Sequence, residues 1–304
     1  MRKTTSQAIC EASHQLLESD PRCFFIGEGI TDHKRAFGTT DGLKDAFPDK
    51  VFEMPVSENG MTGVCVGAAI SGLRPIMVHM RADFLLYAMD QIVNSAAKMH
   101  AMYGGQLNCP LVIKAVMGRG WAQGLQHSQR FERMFASIPG LKVVCPSNAY
   151  DAKGLLIWAS RQNNPVIYME HRWIHNIQSD VPDEMYEVKP VPKVIRSGCY
   201  TVAAWGYMVH ECVKAAEFLS KQNITVEVID YRGPTPSDYD GLVIEEESMC
   251  PPSPALSKGF YPTPSKIMTK LSKYYGVTID TSEALDYESK LTHDIPNREF
   301  VGPF

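Results

Sequence analysis

The sequence has no long apolar run, no basic cluster and no paired cysteines, and each absence excludes a class of protein. The uncharged stretch from Asn59 to Leu73 falls short of the roughly 18 residues that a membrane span needs. Lys and Arg are dispersed and the net charge is −4, which argues against a surface for nucleic acid or anionic membranes. The eight cysteines form no C-x-x-C pair, so we expect reduced thiols in a cytoplasmic protein.

Two domains are expected from the length of 304 residues, at roughly 100–200 residues per domain. In the first part of the chain, short β-rich segments alternate with helical patterns, which predicts an α/β domain with a mostly parallel sheet. Strands are predicted at 22–27, 51–55, 75–80, 110–116, 141–146 and 164–170, and helices at 5–18, 58–72, 84–103 and 149–162.

A smaller α/β unit is predicted after a linker. Residues 176–197 are rich in proline and acidic residues and show no sustained period, which is typical of a linker. Because the second unit has few elements, its core should need completion by a partner. It is predicted to contain strands at 200–205, 225–230 and 242–247 and helices at 209–222 and 263–275. The predicted domain bounds are 1–180 and 198–304, with the linker at 181–197.

One carboxylate, Glu58, stands at the start of the predicted glycine-rich helix SENGMTGVCVGAAISG. An acid in the first helical turn, after Ser57 as N-cap, can be explained by the helix dipole alone. However, Gly60, Gly63 and Gly67 keep the side-chain bulk low, which allows another backbone or a flat ligand to approach closely. A carboxylate held there would lie in a dry, narrow place.

Three more candidates lie outside that helix. Glu28 and Phe84 follow predicted strands, where an α/β sheet presents its strand ends to ligands, although Phe84 can also be explained as a core residue. His127 lies in the polar loop GRGWAQGLQHSQ, which misses the dinucleotide fingerprint by one residue. A lone loop histidine is more often a hydrogen-bonded surface residue than a catalyst. His79, within a strand, is expected to be a hydrogen-bonded core residue. No His, Asp or Glu spacing predicts a metal site made by this chain.

Five segments of the chain form a recognisable series: PVSENGMTGVCVGAAISGLRPI, DFLLYAMDQIVNSAAK, CPLVIK, GLQHSQRFERMFASIPGLKVVCPSNAYDAKGLL and NNPVIYMEHR. In order and spacing they resemble the β subunit of thiamine-diphosphate-dependent 2-oxo acid dehydrogenases (the E1 component, of pyruvate or branched-chain type) and its relative in acetoin dehydrogenase. The resemblance implies a transketolase-like pyrimidine-binding domain and an α/β C-terminal domain that is abridged after VIDYRGPTP.

The resemblance implies a role for each candidate. Glu58 matches the glutamate that hydrogen-bonds the aminopyrimidine ring of thiamine diphosphate, which enables the cofactor's own amine to remove a proton from its thiazolium. Phe84 matches the residue that stacks on that ring. His127 matches a histidine implicated in acyl transfer to lipoamide. Glu28 matches a proton-relaying acid between paired cofactors, although this chain has GEG where the family usually has GED.

The resemblance also implies metal ions and partners. Ala159, Gln162 and Asn164 fall where some relatives hold a structural potassium ion, with Gln in place of the family's Asp. In the family, Mg²⁺ and the diphosphate are bound by an α subunit through a G-D-G…N motif, which this sequence lacks. We therefore expect activity only with an α subunit, typically in an α2β2 tetramer.

The expected reaction is the decarboxylation of a small 2-oxo acid, followed by transfer of the acyl group to a lipoyl acyltransferase (E2). Three alternatives stay open at this point: an acetoin dehydrogenase β subunit, a split ketol transferase of the transketolase type, and a non-catalytic assembly subunit.

Overall fold

A six-stranded parallel sheet forms the centre of the first domain in the computed structural model, which describes residues 1–118, 123–246 and 261–291. Every neighbouring pair in this sheet is parallel, and all six predicted strands are present. In spatial order the strands are β3 (Val51–Glu53), β2 (Cys23–Gly27), β4 (Arg74–His79), β5 (Val112–Met117), β7 (Val166–His171) and β6 (Lys142–Val144).

Helices cover both faces of this sheet. One face packs against α1 (Thr5–Ser19) and α7 (Ala149–Ser160), and the other packs against α4 (Glu58–Ile70) and the segment after β4. The start of α1 is fixed by a capping box, in which the side chains of Thr4 and Gln7 each accept from the other residue's backbone N–H. The shorter elements are α2 (Arg35–Gly38), α3 (Leu43–Ala46), α6 (Glu132–Ala136) and the 3-10 turns Leu125–His127 and Arg172–Ile174.

The helix predicted over 84–103 is not one continuous α-helix. The chain forms a 3-10 helix over Ala82–Ala88, a π-helix over Asp90–Ala96 and then α5 (Met99–Met102). The prediction was wrong because apolar spacing over a few turns does not distinguish the three hydrogen-bonding patterns. Since side chains three residues apart eclipse each other in a 3-10 helix, the rings of Phe84 and Tyr87 stack, with planes 12° apart.

The second domain is built on a three-stranded sheet. Its strands lie in the order β10 (Tyr200–Ala204), β11 (Val226–Asp230) and β9 (Lys193–Arg196). β10 and β11 are parallel, and β9 is antiparallel to β11. The helices that pack on it are α8 (Met208–Ser220), α9 (Pro264–Tyr275) and α10 (Ser282–Ser289).

Two predictions for this part of the chain need correction. The predicted linker contains β9, and the aperiodic stretch 176–197 also contains β8 (Gln178–Asp180), which pairs antiparallel with β1 (Arg2–Thr4). Strands of three or four residues are too short to show a period in the sequence. The segment 242–246 forms no strand of its own; instead it makes backbone hydrogen bonds to Ala203 at the free edge of β10. The domain bounds remain a prediction.

Each domain contributes a tryptophan to the hydrophobic core of the other. Trp173, which follows β7, packs in the core of the second domain and meets Tyr207 edge to face at 5.0 Å. Trp205, which follows β10, packs in the core of the first domain and donates a hydrogen bond to Glu132. The thin second core is therefore completed, at least in part, by the first domain of the same chain.

Within the three described ranges, no helix combines the length and the apolar character that a membrane crossing requires. Residues 119–122, in the loop that leads to His127, lie outside those ranges.

Candidate active site

Three of the candidate residues line one pocket at the carboxyl edge of the parallel sheet. Glu28 follows β2, Glu58 follows β3 and Phe84 follows β4, and these three strands are neighbours in the order β3-β2-β4. Because all three strands run in the same direction, their carboxyl ends meet at one edge, where α/β sheets bind ligands. The pocket has a volume of about 640 Å³ and is lined by Glu28, Val56, Ser57, Glu58, Asn59, Phe84 and Tyr87.

Glu58 is a buried acid that faces the pocket. It begins α4 and is only 8% exposed, and its carboxylate has no hydrogen-bond partner among the described residues. The predicted N-cap, Ser57, precedes the helix but its side chain makes no capping hydrogen bond. The helix dipole is therefore the one stabilising feature that α4 provides for this charge. A buried carboxylate that faces a pocket without a partner has capacity for a ligand donor.

Glu28 lies on a turn that a second acid holds in place. The Glu53 carboxylate accepts from the backbone N–H groups of Gly29 (2.6 Å) and Thr31 (3.0 Å). Gly29 has φ +67°, a left-handed conformation that favours glycine. The Oε1 atom of Glu28 is buried and has no partner in the described chain. Burial, followed by the negative charges of Glu58 and Glu53, raises the pKa of Glu28, so this carboxyl is suited to hold a proton.

The stacked rings of Phe84 and Tyr87, here called the aromatic wall, connect the pocket to His127 in the neighbouring loop. Phe84 stacks on Tyr87, and it meets the imidazole of His127 edge to face, with ring centroids 5.5 Å apart and planes at 88°. His127 and Phe84 are both half-buried, whereas Tyr87 is largely exposed. The structure therefore brings all four predicted site residues into one neighbourhood, with His127 at the side of the wall and not among the residues that line the pocket.

His79 is buried as expected but lacks the expected hydrogen bonds. It is 1% exposed, and neither ring nitrogen has a partner among the described residues. Burial lowers the pKa of His79 to about 4. The prediction was right that His79 is buried but wrong that its ring nitrogens are hydrogen-bonded. A strand pattern shows which face of the sheet is buried, but it does not show which atoms lie beside a given side chain.

The region expected to hold potassium does not fit that ion. The guanidinium of Arg74 donates to the backbone carbonyls of Ser160 (2.7 Å) and Gln162 (3.1 Å) at the carboxyl end of α7. Lys142 donates to the side chain of Gln162, and the carbonyl of Ala159 accepts a backbone N–H. Asn164 Oδ1 is buried without a partner in the described chain, but one oxygen is too few for a potassium ion. Two protein cations already neutralise this helix end.

The cysteines agree with the expectation of reduced thiols. All seven described cysteines are free. Burial raises the pKa of Cys212, which lies in α8; a thiol in such surroundings is unreactive. In the described ranges, no group of three or more His, Cys, Asp or Glu side chains could hold a metal ion.

Four side chains of the site were not selected by sequence reasoning: Glu53, Asp83, Tyr87 and Arg172. Tyr87 could have been found from its spacing to Phe84 if the 3-10 turn had been recognised. Asp83 accepts two hydrogen bonds from Gln129, and Arg172 contacts the loop that carries His127. These two contacts join residues that are more than 40 positions apart, so no local pattern predicts them.

Comparisons with known proteins agree with this architecture. Residues 2–176 match the family described as "Transketolase, pyrimidine binding domain", and residues 192–248 match "Transketolase, C-terminal domain". The chain is 38% identical over 253 residues to the β subunit of acetoin:2,6-dichlorophenolindophenol oxidoreductase from Cupriavidus necator, covering 79% of this chain and 75% of that protein. It is 39% identical over 249 residues to the pyruvate dehydrogenase E1 component subunit beta of Rickettsia bellii, covering 80% and 76%.

Solved structures show the same fold at much lower identity. A structure titled "Split gene transketolase, inactive beta4 tetramer" superposes with a TM-score of 0.73 and 18% identity, covering 91% of this chain and 100% of that one. A transketolase mutant from Pichia stipitis gives a TM-score of 0.69 and 15% identity, covering 90% of this chain and 46% of the transketolase chain.

The fold and the pocket thus define a transketolase-like protein with a short C-terminal domain. Within that class, the chain belongs to the family of E1 β subunits, to which the pyruvate and acetoin proteins above belong. Membership in this family implies a thiamine-diphosphate-dependent enzyme.

Proposed function

We propose that this chain is the catalytic β subunit of an E1 enzyme that oxidatively decarboxylates a pyruvate-like 2-oxo acid and transfers the acyl group to a lipoyl acyltransferase. The observation that carries the proposal is a pocket in which the buried carboxylate of Glu58, unpartnered among the described residues, lies beside the ring of Phe84. A carboxylate and an aromatic face are the two groups that a flat, protonatable heterocycle needs for recognition.

The pocket residues fit the aminopyrimidine half of thiamine diphosphate. When bound, the cofactor supplies a nucleophilic carbon and an electron sink for the decarboxylation. Glu58 would accept the hydrogen bond of the protonated ring nitrogen, and Phe84 would present its face to the ring. Glu28, whose raised pKa favours the protonated carboxyl, would hold a proton close to Glu58. His127, at the side of Phe84, would meet the acyl group on its way to lipoamide.

An α subunit would supply the rest of the site. The sequence lacks the G-D-G…N motif through which the family binds Mg²⁺ and the diphosphate, so another chain would bind both. The rim of the pocket is also apolar and open, since Val56 is 84% exposed and Tyr87 is 69% exposed. Exposed apolar groups at the mouth of an incomplete site are typical of a protein interface. We therefore propose an α2β2 assembly that binds E2.

The test is to co-express the chain with its α subunit and assay pyruvate, branched-chain 2-oxo acids and acetoin with an artificial electron acceptor. We expect turnover of a 2-oxo acid by the wild type, and loss of at least about 1000-fold in Glu58→Gln, which keeps the size but not the charge. Glu18→Gln, on the exposed side of α1, is the matched control and should retain activity.

Each other result contradicts a specific part of the proposal. Turnover of acetoin alone would make the chain an acetoin dehydrogenase β subunit. If the complex assembles but turns over none of these substrates, the chain is a non-catalytic assembly subunit. Near-normal activity of Glu58→Gln would remove Glu58 from the site.

A further inference from the structure

The loop that carries His127 is held from two sides by buried, charged side chains. His127 ends a 3-10 turn of three residues, Leu125–His127, and so short an element does not fix a side chain by itself. A histidine that handles a reacting group must nevertheless be placed to within about 1 Å, because larger displacements cost roughly 100-fold in rate. The fixing contacts must therefore come from outside the loop.

Arg172 makes the first of these contacts. It follows β7 at the carboxyl edge of the sheet and is 1% exposed. Its Nη1 donates to Oε1 of Gln123 (2.6 Å), and its Nη2 donates to the backbone carbonyl of His127 (3.0 Å). The planar fork of one guanidinium thus ties the last residue of the turn, and Gln123 two residues before its start, to the end of a central strand. Lysine, as a point charge, cannot reproduce this geometry.

Arg81, which lies between β4 and the 3-10 helix that follows it, supports the same arrangement. Its Nη2 donates to Oε1 of Gln123 (3.1 Å), so that this one oxygen receives hydrogen bonds from two guanidinium groups. Burial lowers the pKa of Arg81, and the nearby carboxylate of Asp83 offsets part of this effect.

Asp83 makes the second fixing contact, on the far side of His127. It is 6% exposed, and its Oδ1 accepts from both the backbone N–H (3.2 Å) and the side-chain amide (2.9 Å) of Gln129. Asp83 immediately precedes Phe84, whose ring meets the imidazole. The same short helix thus presents both the ring and the carboxylate that holds the loop against that ring.

We propose that Arg172 and Asp83 are positioning residues that set the imidazole of His127 against Phe84 for acyl transfer. Neither side chain lines the pocket, so their effect passes through His127. The catalytic consequence rests on the proposed function, whereas the placement of the imidazole does not.

The first test measures that placement without any activity. In the full-length chain labelled with [¹³C]histidine, the His127 resonance is assigned by its loss in His127→Gln. We expect Arg172→Met to shift this resonance to the position that it takes in Phe84→Leu, because the ring current of Phe84 no longer acts on it. The matched control Arg22→Met removes an exposed arginine that binds Asp20 and should leave the resonance in place.

The second test measures transfer in the assembled enzyme. We expect Arg172→Met to lower the rate of lipoamide acylation by roughly 10- to 100-fold, with the affinity for thiamine diphosphate unchanged, and Arg172→Lys to restore only part of it. Asp83→Asn keeps the acceptor oxygen and should restore most of what Asp83→Ala loses. A merely structural role would instead lower the cofactor affinity together with the rate.

The two tests separate this inference from the proposed function. If the His127 resonance of a folded Arg172→Met keeps its wild-type position, the inference is wrong; should that variant fail to fold, Arg172→Lys gives the same reading. If the resonance moves as expected but the wild-type complex decarboxylates no 2-oxo acid, the positioning stands and the proposed function fails.

Discussion

Phe84 meets His127 edge to face, with ring centroids 5.5 Å apart and planes at 88°. This contact joins two strands of the sheet, since Phe84 follows β4 and His127 lies in the loop after β5. It also leaves one face of Phe84 for Tyr87, with which it stacks. Phe84 lines the pocket, whereas His127 lies beside it, so the two residues should have different roles: Phe84 in cofactor binding and His127 in acyl transfer.

That separation predicts different losses for the two residues. We expect Phe84→Leu to weaken thiamine diphosphate binding to the assembled enzyme by roughly three- to tenfold, the worth of one aromatic contact. His127→Ala should leave the affinity unchanged but reduce lipoamide acylation at least as much as decarboxylation with an artificial acceptor. Phe52→Leu, at an exposed position, is the control. Full activity of His127→Ala in both assays would remove it from the site.

The two pocket carboxyls should titrate as neighbours. Because the charge of Glu58 helps to raise the pKa of Glu28, Glu58→Gln should lower the Glu28 pKa, while the part due to burial remains. The measurement is a carboxyl ¹³C NMR titration of the full-length chain. Glu18→Gln should leave the Glu28 titration as it is, and an identical titration in Glu58→Gln would show that the two groups do not interact.

Because Arg74 occupies the region expected to hold potassium, the stability of the fold should not depend on that ion. We expect the melting temperature of the wild type to be the same in potassium and sodium salts, because the carbonyls of Ser160 and Gln162 already accept from the guanidinium. Arg74→Met should cost about 2 kcal/mol in the free energy of unfolding, the worth of charged hydrogen bonds. Arg22→Met, at the exposed neighbouring arginine, should cost little. A wild type stabilised by potassium alone would contradict this assignment.

His79 should make the protein sensitive to acid. Its folded pKa of about 4 lies below the ordinary value of 6.5, so the unfolded chain binds more protons than the folded one below pH 6.5. The difference in pKa therefore contributes about 3 kcal/mol to the free energy of unfolding above pH 6.5, and this contribution is lost as the pH falls towards 4. Urea denaturation at several pH values should show a shallower dependence in His79→Leu than in the wild type or in His33→Leu, and equal slopes would exclude His79 as the source.

Because Trp173 and Trp205 each pack in the core of the other domain, we expect both domains to unfold together. Each domain has a tryptophan from the other in its core, so we expect a single calorimetric transition with equal calorimetric and van't Hoff enthalpies. Trp173→Ala and Trp205→Ala should each lower the stability by about 3–5 kcal/mol and move the whole transition. Tyr103→Ala, at an exposed site, should move it little. Two transitions, of which a variant moves only one, would refute the coupling.

Much of the site could be predicted from the chain because it depends on local order. Glu28, Glu58 and Phe84 each follow a strand, and the parallel sheet places the ends of those strands at one edge. The start of α4 at Glu58 and the low bulk of its glycines are also visible in the sequence. What these patterns do not show is the local helix type, as the 3-10 turn at Phe84 demonstrates.

The parallel sheet, the glycine-rich helix and the resemblance to E1 β subunits can be read from the amino-acid order alone, because burial periodicity and motif order are properties of neighbouring residues. Three contacts become visible only in the folded chain: Arg172 binds the carbonyl of His127, Arg74 neutralises the end of α7, and each domain contributes a tryptophan to the core of the other. These contacts join segments that are distant in the chain, so they depend on strand order and packing, which no local pattern encodes.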